Sequence, residues 1–124
     1  MTGEDRKRIR LELIVKGRIV AYKQQLLMPT VRQSETFSGW LHDLRDAKAR
    51  TKILVRIQRL ADGNPGDVGP VGEGVSELRL HYGPGYRVYF VSRGAEIVLL
   101  LCGGDKSSQA RDVETAKRLA ITEE

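Results

Sequence analysis

The sequence has few residues of the kinds that build disulfides, metal centres or membrane spans. Its one cysteine, Cys102, cannot form an internal disulfide, and two histidines far apart in the chain do not indicate a metal cluster. No stretch approaches the roughly 20 consecutive apolar residues of a transmembrane helix, and charged residues stand where a secretory signal needs an apolar run. We therefore expect a cytoplasmic protein with no cofactor and no membrane contact.

The sequence also lacks internal repeats, low-complexity tracts and a phosphate-binding loop. Residues 63–74 contain five glycines and two prolines, a composition that predicts a loop. No Gly-Lys-Ser/Thr sequence follows this segment, so we reject nucleotide binding there.

Positive charge is concentrated near the start of the chain. The net charge is +5, and residues 1–27 hold seven Lys or Arg against three Asp or Glu, whereas the remainder is almost neutral. A chain of 124 residues with 40% hydrophobic content supports one core. We predict a basic extension, residues 1–27, with a strand over Leu11 to Tyr22, and a folded domain, residues 28–124. Translation starting at Met28 is a hypothesis that this boundary suggests.

Two helices are predicted after a short strand over Thr30 to Gln33. Ser34 is a suitable N-cap, and apolar residues with helical spacing follow it at Phe37, Trp40, Leu41 and Leu44. A second helix is predicted from about Ala47 to Ala61. Basic residues repeat at helical spacing along one side of it, which indicates either a solvated face or a binding surface: Arg45, Lys48, Lys52, Arg56 and Arg59.

Three antiparallel strands and a last helix complete the prediction. Val75 to Tyr82 alternates between an apolar side and a polar side, Tyr86 to Arg93 follows a tight turn, and Ile97 to Cys102 is apolar enough to be buried on both faces. A helix capped by Asp105 ends the domain. The polar sides of the first two strands should share one exposed face that carries Glu77, Arg79, His81, Arg87 and Tyr89.

Several local sequences resemble the RelE/ParE superfamily of toxins, and most of all its branch of addiction module killer proteins near the HigB toxins. They are Gly39-Trp40-Leu41, Gly63-Asn64-Pro65-Gly66-Asp67, Glu77-Leu78-Arg79, the run GPGYRVYF from Gly83 to Phe90, and Gly103-Gly104-Asp105-Lys106. The resemblance covers residues 29–120. It implies an α+β fold with two N-terminal helices packed on a small antiparallel sheet and a C-terminal helix.

The resemblance further implies the toxin of a type II toxin–antitoxin module. Many such toxins cut messenger RNA on the ribosome without a metal, whereas ParE-like members inhibit DNA gyrase. The usual partner is a small helix-turn-helix antitoxin, and operator DNA is bound only through the complex. A non-catalytic protein that regulates by binding an antitoxin is a third possibility.

The resemblance and the strand pattern together give a set of candidate site residues. Arg87 matches the family's hairpin arginine and would stabilise the charged transition state, since a guanidinium binds phosphate oxygens in pairs. Lys106 would neutralise charge or protonate the leaving oxygen, and Arg79 would position the RNA backbone. Either Glu77 or His81 would accept a proton. Contacts to RNA or the ribosome are assigned to Tyr89 and the five helix cations.

Overall fold

The computed structural model describes residues 12–15, 18–21, 29–95 and 97–123. The described elements are β1 (Glu12–Val15), β2 (Arg18–Ala21), β3 (Thr30–Gln33), α1 (Glu35–Asp43), α2 (Ala47–Ala61), β4 (Val68–Gly72), β5 (Val75–Arg79), β6 (Arg87–Arg93), β7 (Ile97–Gly104), a 3-10 helix (Lys106–Ser108) and α3 (Gln109–Thr122).

The start of the chain contains a β-hairpin where one strand was predicted. Strands β1 and β2 pair antiparallel, with Glu12 opposite Ala21. The prediction of a single strand over Leu11 to Tyr22 is therefore wrong, because the chain reverses within that segment. Residues 1–10, which contain much of the basic extension, and Met28 lie outside the described residues.

Helices α1 and α2 begin at the residues that their local sequence predicts. The Ser34 hydroxyl accepts a hydrogen bond from the backbone N–H of Phe37 at 3.0 Å, which satisfies one free donor of the first turn. Asp46 caps α2 in the same way through the N–H of Ala49 at 3.1 Å. The predicted boundaries of the second helix are confirmed, since α2 runs from Ala47 to Ala61.

The main sheet has five strands in the order β3-β7-β6-β5-β4. β3 runs parallel to β7, and the other neighbours are antiparallel, so the sheet is mixed. The predicted strand over Thr30 to Gln33 is confirmed, but its parallel pairing with the last strand makes the prediction of an antiparallel sheet wrong. The fold is α+β, as expected.

The second half of the glycine-rich segment is a strand, contrary to the loop prediction for residues 63–74. Val68 pairs with Leu78 and Gly69 with Glu77, which places β4 at the edge of the sheet. Pro70 is tolerated there because an edge strand need not donate every hydrogen bond. Pairing with β5 outweighs the weak strand propensity of glycine and proline.

Helices cover both faces of the sheet and form two separate cores. On one face, Phe37 of α1 and Ile53 of α2 pack with apolar residues of the strands. On the other, Ala116 of α3 packs against Tyr89 and Leu101. Strand β7 contributes to both, which confirms the prediction of a strand buried on two sides. None of the helices in the described part of the chain has the length and hydropathy of a membrane span.

The second core overturns the predicted exposed face. Glu77 is 2% exposed and Tyr89 is fully buried, because α3 lies across the side of the sheet that carries them. Alternation along a strand separates its two faces but does not say which face stays in solvent. The placement of Glu77, Arg87 and Tyr89 on an open surface was therefore wrong.

Two helices approach the sheet closely at the end of β7. A side chain on Gly103 would clash with the indole of Trp40 in α1, and one on Gly104 would clash with the carboxylate of Asp112 in α3. Both helices therefore pack against bare backbone at this point.

Candidate active site

The turn between β5 and β6 contacts the start of the 3-10 helix. Gly83 and Gly85 have φ of +57° and +81°, which an L side chain rarely adopts, and the N–H of Gly85 donates to Tyr82 O at 3.1 Å. The N–H of Lys106 donates to Pro84 O at 3.4 Å. The two sequence segments most specific to the toxin resemblance, GPGYRVYF and GGDK, thus meet in space.

Arg87 and Lys106 both lie next to Gly85. A Cβ atom built on Gly85 would be 3.4 Å from Cβ of Lys106 and 3.7 Å from Nη1 of Arg87. Glycine at this position therefore allows the two basic residues to flank the turn. Their proximity is part of the arrangement that the sequence predicts.

The guanidinium of Arg87 has hydrogen-bonding capacity to spare. Its side chain is only 10% exposed. Nη1 makes long bonds to the carbonyls of Gly85 and Tyr86, at 3.4 and 3.5 Å, and Nε has no hydrogen-bond partner among the described residues. Since an arginine carries five N–H donors, this group is suited to bind an anion that reaches it.

Glu77 is the acceptor of an internal network and is not an exposed base. It accepts hydrogen bonds from Tyr89 Oη at 2.9 Å, Gln109 Nε2 at 2.7 Å and Arg79 Nε at 3.0 Å. The oxygen of Glu77 that accepts from Tyr89 and Gln109, Oε2, also lies 3.7 Å from Nε of Arg87. Burial and the bond to Glu77 raise the pKa of Tyr89. Tyr89 therefore stays a neutral donor inside the protein and does not form an RNA-facing surface.

Arg79 is held away from the pair of basic residues at the turn. Arg79 and Arg87 are direct partners on adjacent strands. However, Arg79 donates to Glu77 and, through Nη1, to Asp67 Oδ1 at 2.6 Å. Of the three cations that the sequence analysis assigns to the site, only Arg87 and Lys106 are neighbours of Gly85, whereas Arg79 belongs to an ion-pair network with Glu77 and Asp67.

His81 forms a pair with a carboxylate from the glycine-rich segment. Its Nε2 lies 2.6 Å from Oδ2 of Asp67. Hydrogen bonds from His81 and then Arg79 lower the pKa of Asp67 below its ordinary value. A carboxylate hydrogen-bonded to an exposed imidazole fixes the orientation of the ring. Of the two residues expected to accept a proton, His81 is therefore exposed, whereas Glu77 is buried.

Asp67 is held in place by Arg56 of α2. The guanidinium of Arg56 donates to the carbonyls of Arg79, Pro65 and Asp67, at 2.6, 3.0 and 3.3 Å. Burial lowers the pKa of Arg56, and this effect outweighs the attraction of Asp67. Arg56 therefore connects the segment before β4 to the end of β5 by hydrogen bonds. This is a structural role, so Arg56 is not simply part of a solvated helix face.

The other helix cations are exposed and do not form one uniform stripe. Lys52 lies 5.0 Å over the ring of Tyr82, in cation–π geometry. Lys48 and Arg59 are exposed on α2, and Arg45 precedes the helix cap. Thr51, Val55, Leu80 and residues beside them enclose an open pocket of about 380 Å³ next to this surface.

A family model described as "Phage derived protein Gp49-like (DUF891)" matches residues 40–122. An uncharacterized protein of Haemophilus influenzae is 47% identical over 90 residues, which are 73% of this chain and 91% of that protein. The chain belongs to the Gp49-like family of phage-derived proteins. That family is associated with addiction module killer proteins. No solved structure matches the chain.

The part that matches the Gp49-like model contains every candidate site residue, from Arg45 to Lys106. It begins inside α1 and leaves out the hairpin of β1 and β2. The candidate site therefore lies entirely within the part of the chain that the Gp49-like model matches.

Two residues of the site were missed by sequence reasoning. Asp67 lies in a segment predicted to be a loop, although it ends one of the sequences that carry the resemblance. Gln109 had no signal beyond its place near the start of the last helix. Cys102 was predicted to be a buried thiol, which is confirmed, and burial raises its pKa to about 12. The described residues contain no group of three potential metal ligands.

Proposed function

We propose that this protein is the toxin of a type II toxin–antitoxin module and inhibits translation by metal-independent cleavage of ribosome-bound messenger RNA. The observation that carries the proposal is that Arg87 and Lys106 both lie next to Gly85 in the turn between β5 and β6, where Nη1 of Arg87 makes only long bonds to backbone carbonyls. The association of the Gp49-like family with addiction modules supports the same assignment.

RNA cleavage without a metal needs three groups. The 2′-hydroxyl is deprotonated and attacks the adjacent phosphorus, a negative phosphorane forms, and the 5′-oxygen leaves with a proton. Arg87 binds the phosphorane oxygens, Lys106 neutralises or protonates the leaving oxygen, and His81, held by Asp67, accepts the 2′-hydroxyl proton. Glu77 and Arg79 keep Arg87 and Asp67 in position.

The proposed partners follow from the same assignment. They are the ribosome and its messenger RNA, a helix-turn-helix antitoxin, and operator DNA through the toxin–antitoxin complex only. Residues 28–124 form the toxin domain, and residues 1–27 an extension. The protein acts in the cytoplasm. The exposed cations Arg45, Lys48, Lys52 and Arg59 contact ribosomal or messenger RNA.

Induction of the wild-type chain and of Arg87→Ala in growing cells tests the proposal. Arg111→Ala, an exposed arginine on α3, is the matched control. Primer extension on cellular messenger RNA should show cleavage with wild type and control, and a loss of about a hundredfold with Arg87→Ala, as is typical when one transition-state donor is removed. Equal cleavage and toxicity with Arg87→Ala would show the assignment to be wrong.

Inhibition of DNA gyrase by binding is the second candidate. It is favoured by the burial of Glu77 and Tyr89 and the internal ion pairs of Arg79, which leave few groups for proton transfer. A protein that inhibits by binding needs no such groups. Gyrase supercoiling assays with the purified chain separate the two, since a ribonuclease leaves supercoiling unchanged.

A further inference from the structure

The pocket beside α2 combines a basic rim with an apolar wall. Lys52, Val55 and Arg59 line it from the helix, and Leu80, His81 and Tyr82 line it from the segment after β5. With a volume of about 380 Å³ and an open mouth, it has room for a few side chains of a bound segment. It lies on the opposite side of the sheet from α3.

The charge of the rim is not neutralised within the described part of the chain. Lys52 and Arg59 have no carboxylate partner there. Asp67 binds Arg79 and His81 instead, and Asp46 caps α2. The rim therefore presents a positive potential to an incoming molecule.

The pocket side of α2 also exposes a large apolar side chain. Val55 is 44% exposed, which makes it one of three large hydrophobic residues exposed in the described part of the chain. Val55 belongs to the pocket wall together with Leu80. Apolar surface next to cations is typical of a protein-binding site that has both an apolar anchor point and a charged rim.

We propose that this pocket binds an acidic amphipathic segment of a separate protein, with an aliphatic side chain between Val55 and Leu80 and carboxylates on Lys52 and Arg59. The chain's own basic extension and a second copy of this chain, with its net charge of +5, do not complement the rim. An RNA strand gains nothing from the apolar wall, and Lys52 already lies over the Tyr82 ring on which a base would stack.

If the proposed function holds, the separate protein is the antitoxin. That identification rests on the proposed function, whereas the preference of the pocket for an acidic amphipathic segment does not. Binding at this site would cover the exposed helix cations that are proposed to contact the ribosome. An antitoxin bound here would therefore block ribosome contact and cover His81, whereas Arg87 and Lys106 do not line the pocket.

Selection from a displayed library of random short peptides on the purified full-length chain tests the proposal. The enriched peptides should carry acidic residues around an aliphatic one. Their affinity, measured by fluorescence anisotropy, should fall about tenfold or more with Lys52→Glu/Arg59→Glu and with Val55→Asp. It should not change with Arg111→Glu/Arg118→Glu, the same charge change on α3, and circular dichroism should show all variants folded.

Three results would overturn the binding site. They are the enrichment of no peptide, enrichment of peptides without acidic residues, and affinity that falls equally with the α3 control. Competition by a short RNA as strong as that by the peptide, with no effect of Val55→Asp, would show a general polyanion surface instead. Because peptide binding requires no toxicity, a chain that binds peptides without inhibiting growth would contradict only the proposed function.

Discussion

Gln109 Nε2 donates a 2.7 Å hydrogen bond to Oε2 of Glu77, which joins the first turn of α3 to the middle of β5. The same oxygen accepts the Tyr89 hydroxyl from β6. One buried carboxylate thus connects two strands and the helix that covers them. Arg79 supplies the positive charge that makes its burial tolerable.

Replacement of Glu77 by alanine should destabilise the protein strongly. The change leaves Arg79, Gln109 and Tyr89 without their shared acceptor, and breaking a buried ion pair on one side typically costs about 3–5 kcal/mol of unfolding free energy. Urea denaturation measures the effect. Glu114→Ala, at an exposed position of α3, should change stability by less than about 0.5 kcal/mol. Equal stability of the two variants would refute the central role of Glu77.

Substitution of Gly85 by alanine should reduce activity beyond its effect on stability. Gly85 and Gly94 both have positive φ, so alanine strains either turn and should lower the unfolding free energy by about 1 kcal/mol or more. Only at Gly85 would the added Cβ contact Lys106 and Arg87, whereas nothing lies within 4 Å at Gly94. Messenger RNA cleavage should therefore fall with Gly85→Ala and persist with Gly94→Ala. Equal cleavage by both variants would contradict this role of the turn.

Replacement of Arg56 by lysine should loosen the segment that carries Asp67. A lysine keeps the charge but cannot reproduce three hydrogen bonds to separate carbonyls. A hydrogen bond to a charged group contributes about 1.5–3 kcal/mol, so the loss of one such bond makes local opening of this segment easier. Amide hydrogen exchange in residues 63–67 should therefore accelerate about tenfold or more. Arg59→Lys is the matched control. If exchange is equally fast in both variants, Arg56 does not hold this segment.

Asp67 should make the stability of the protein depend on acid pH. Its pKa is lowered in the folded state, so the unfolded chain binds the proton at higher pH. The stabilisation is therefore complete above the ordinary carboxyl pKa of about 4 and is lost as the pH falls through the lower folded value. The difference in unfolding free energy between wild type and Asp67→Asn should shrink from about pH 6 to about pH 3. Asp62→Asn, an exposed carboxylate after α2, controls for the charge change, and a constant difference would contradict the prediction.

Elements defined by local signals could be predicted from sequence. Ser34 and Asp46 cap their helices through hydrogen bonds within three residues, so the starts of α1 and α2 can be predicted from the local sequence. The continuous apolar run of β7 likewise indicates burial on both sides. Such features need no knowledge of the rest of the chain.

The contacts between distant segments could not be predicted in this way. The parallel pairing of β3 with β7 joins residues more than sixty positions apart. Whether α3 covers the Glu77 side of the sheet depends on packing, not on the alternation of β5 and β6. The Asp67–His81 pair likewise links a segment that reads as a loop to the end of a strand. Arg87 and Lys106 were found because they match a known family, not because their spacing shows proximity.

The paired glycines at the end of β7 give the first half of the GGDK sequence a structural role. Gly103 and Gly104 leave room for Trp40 on one side and Asp112 on the other. The packing of the two helices thus requires both glycines, and it would require them even in a relative without catalytic activity. A search that relies on this motif identifies chains with the same architecture, and the chemistry of each has to be judged from the residues at Arg87, Lys106 and His81.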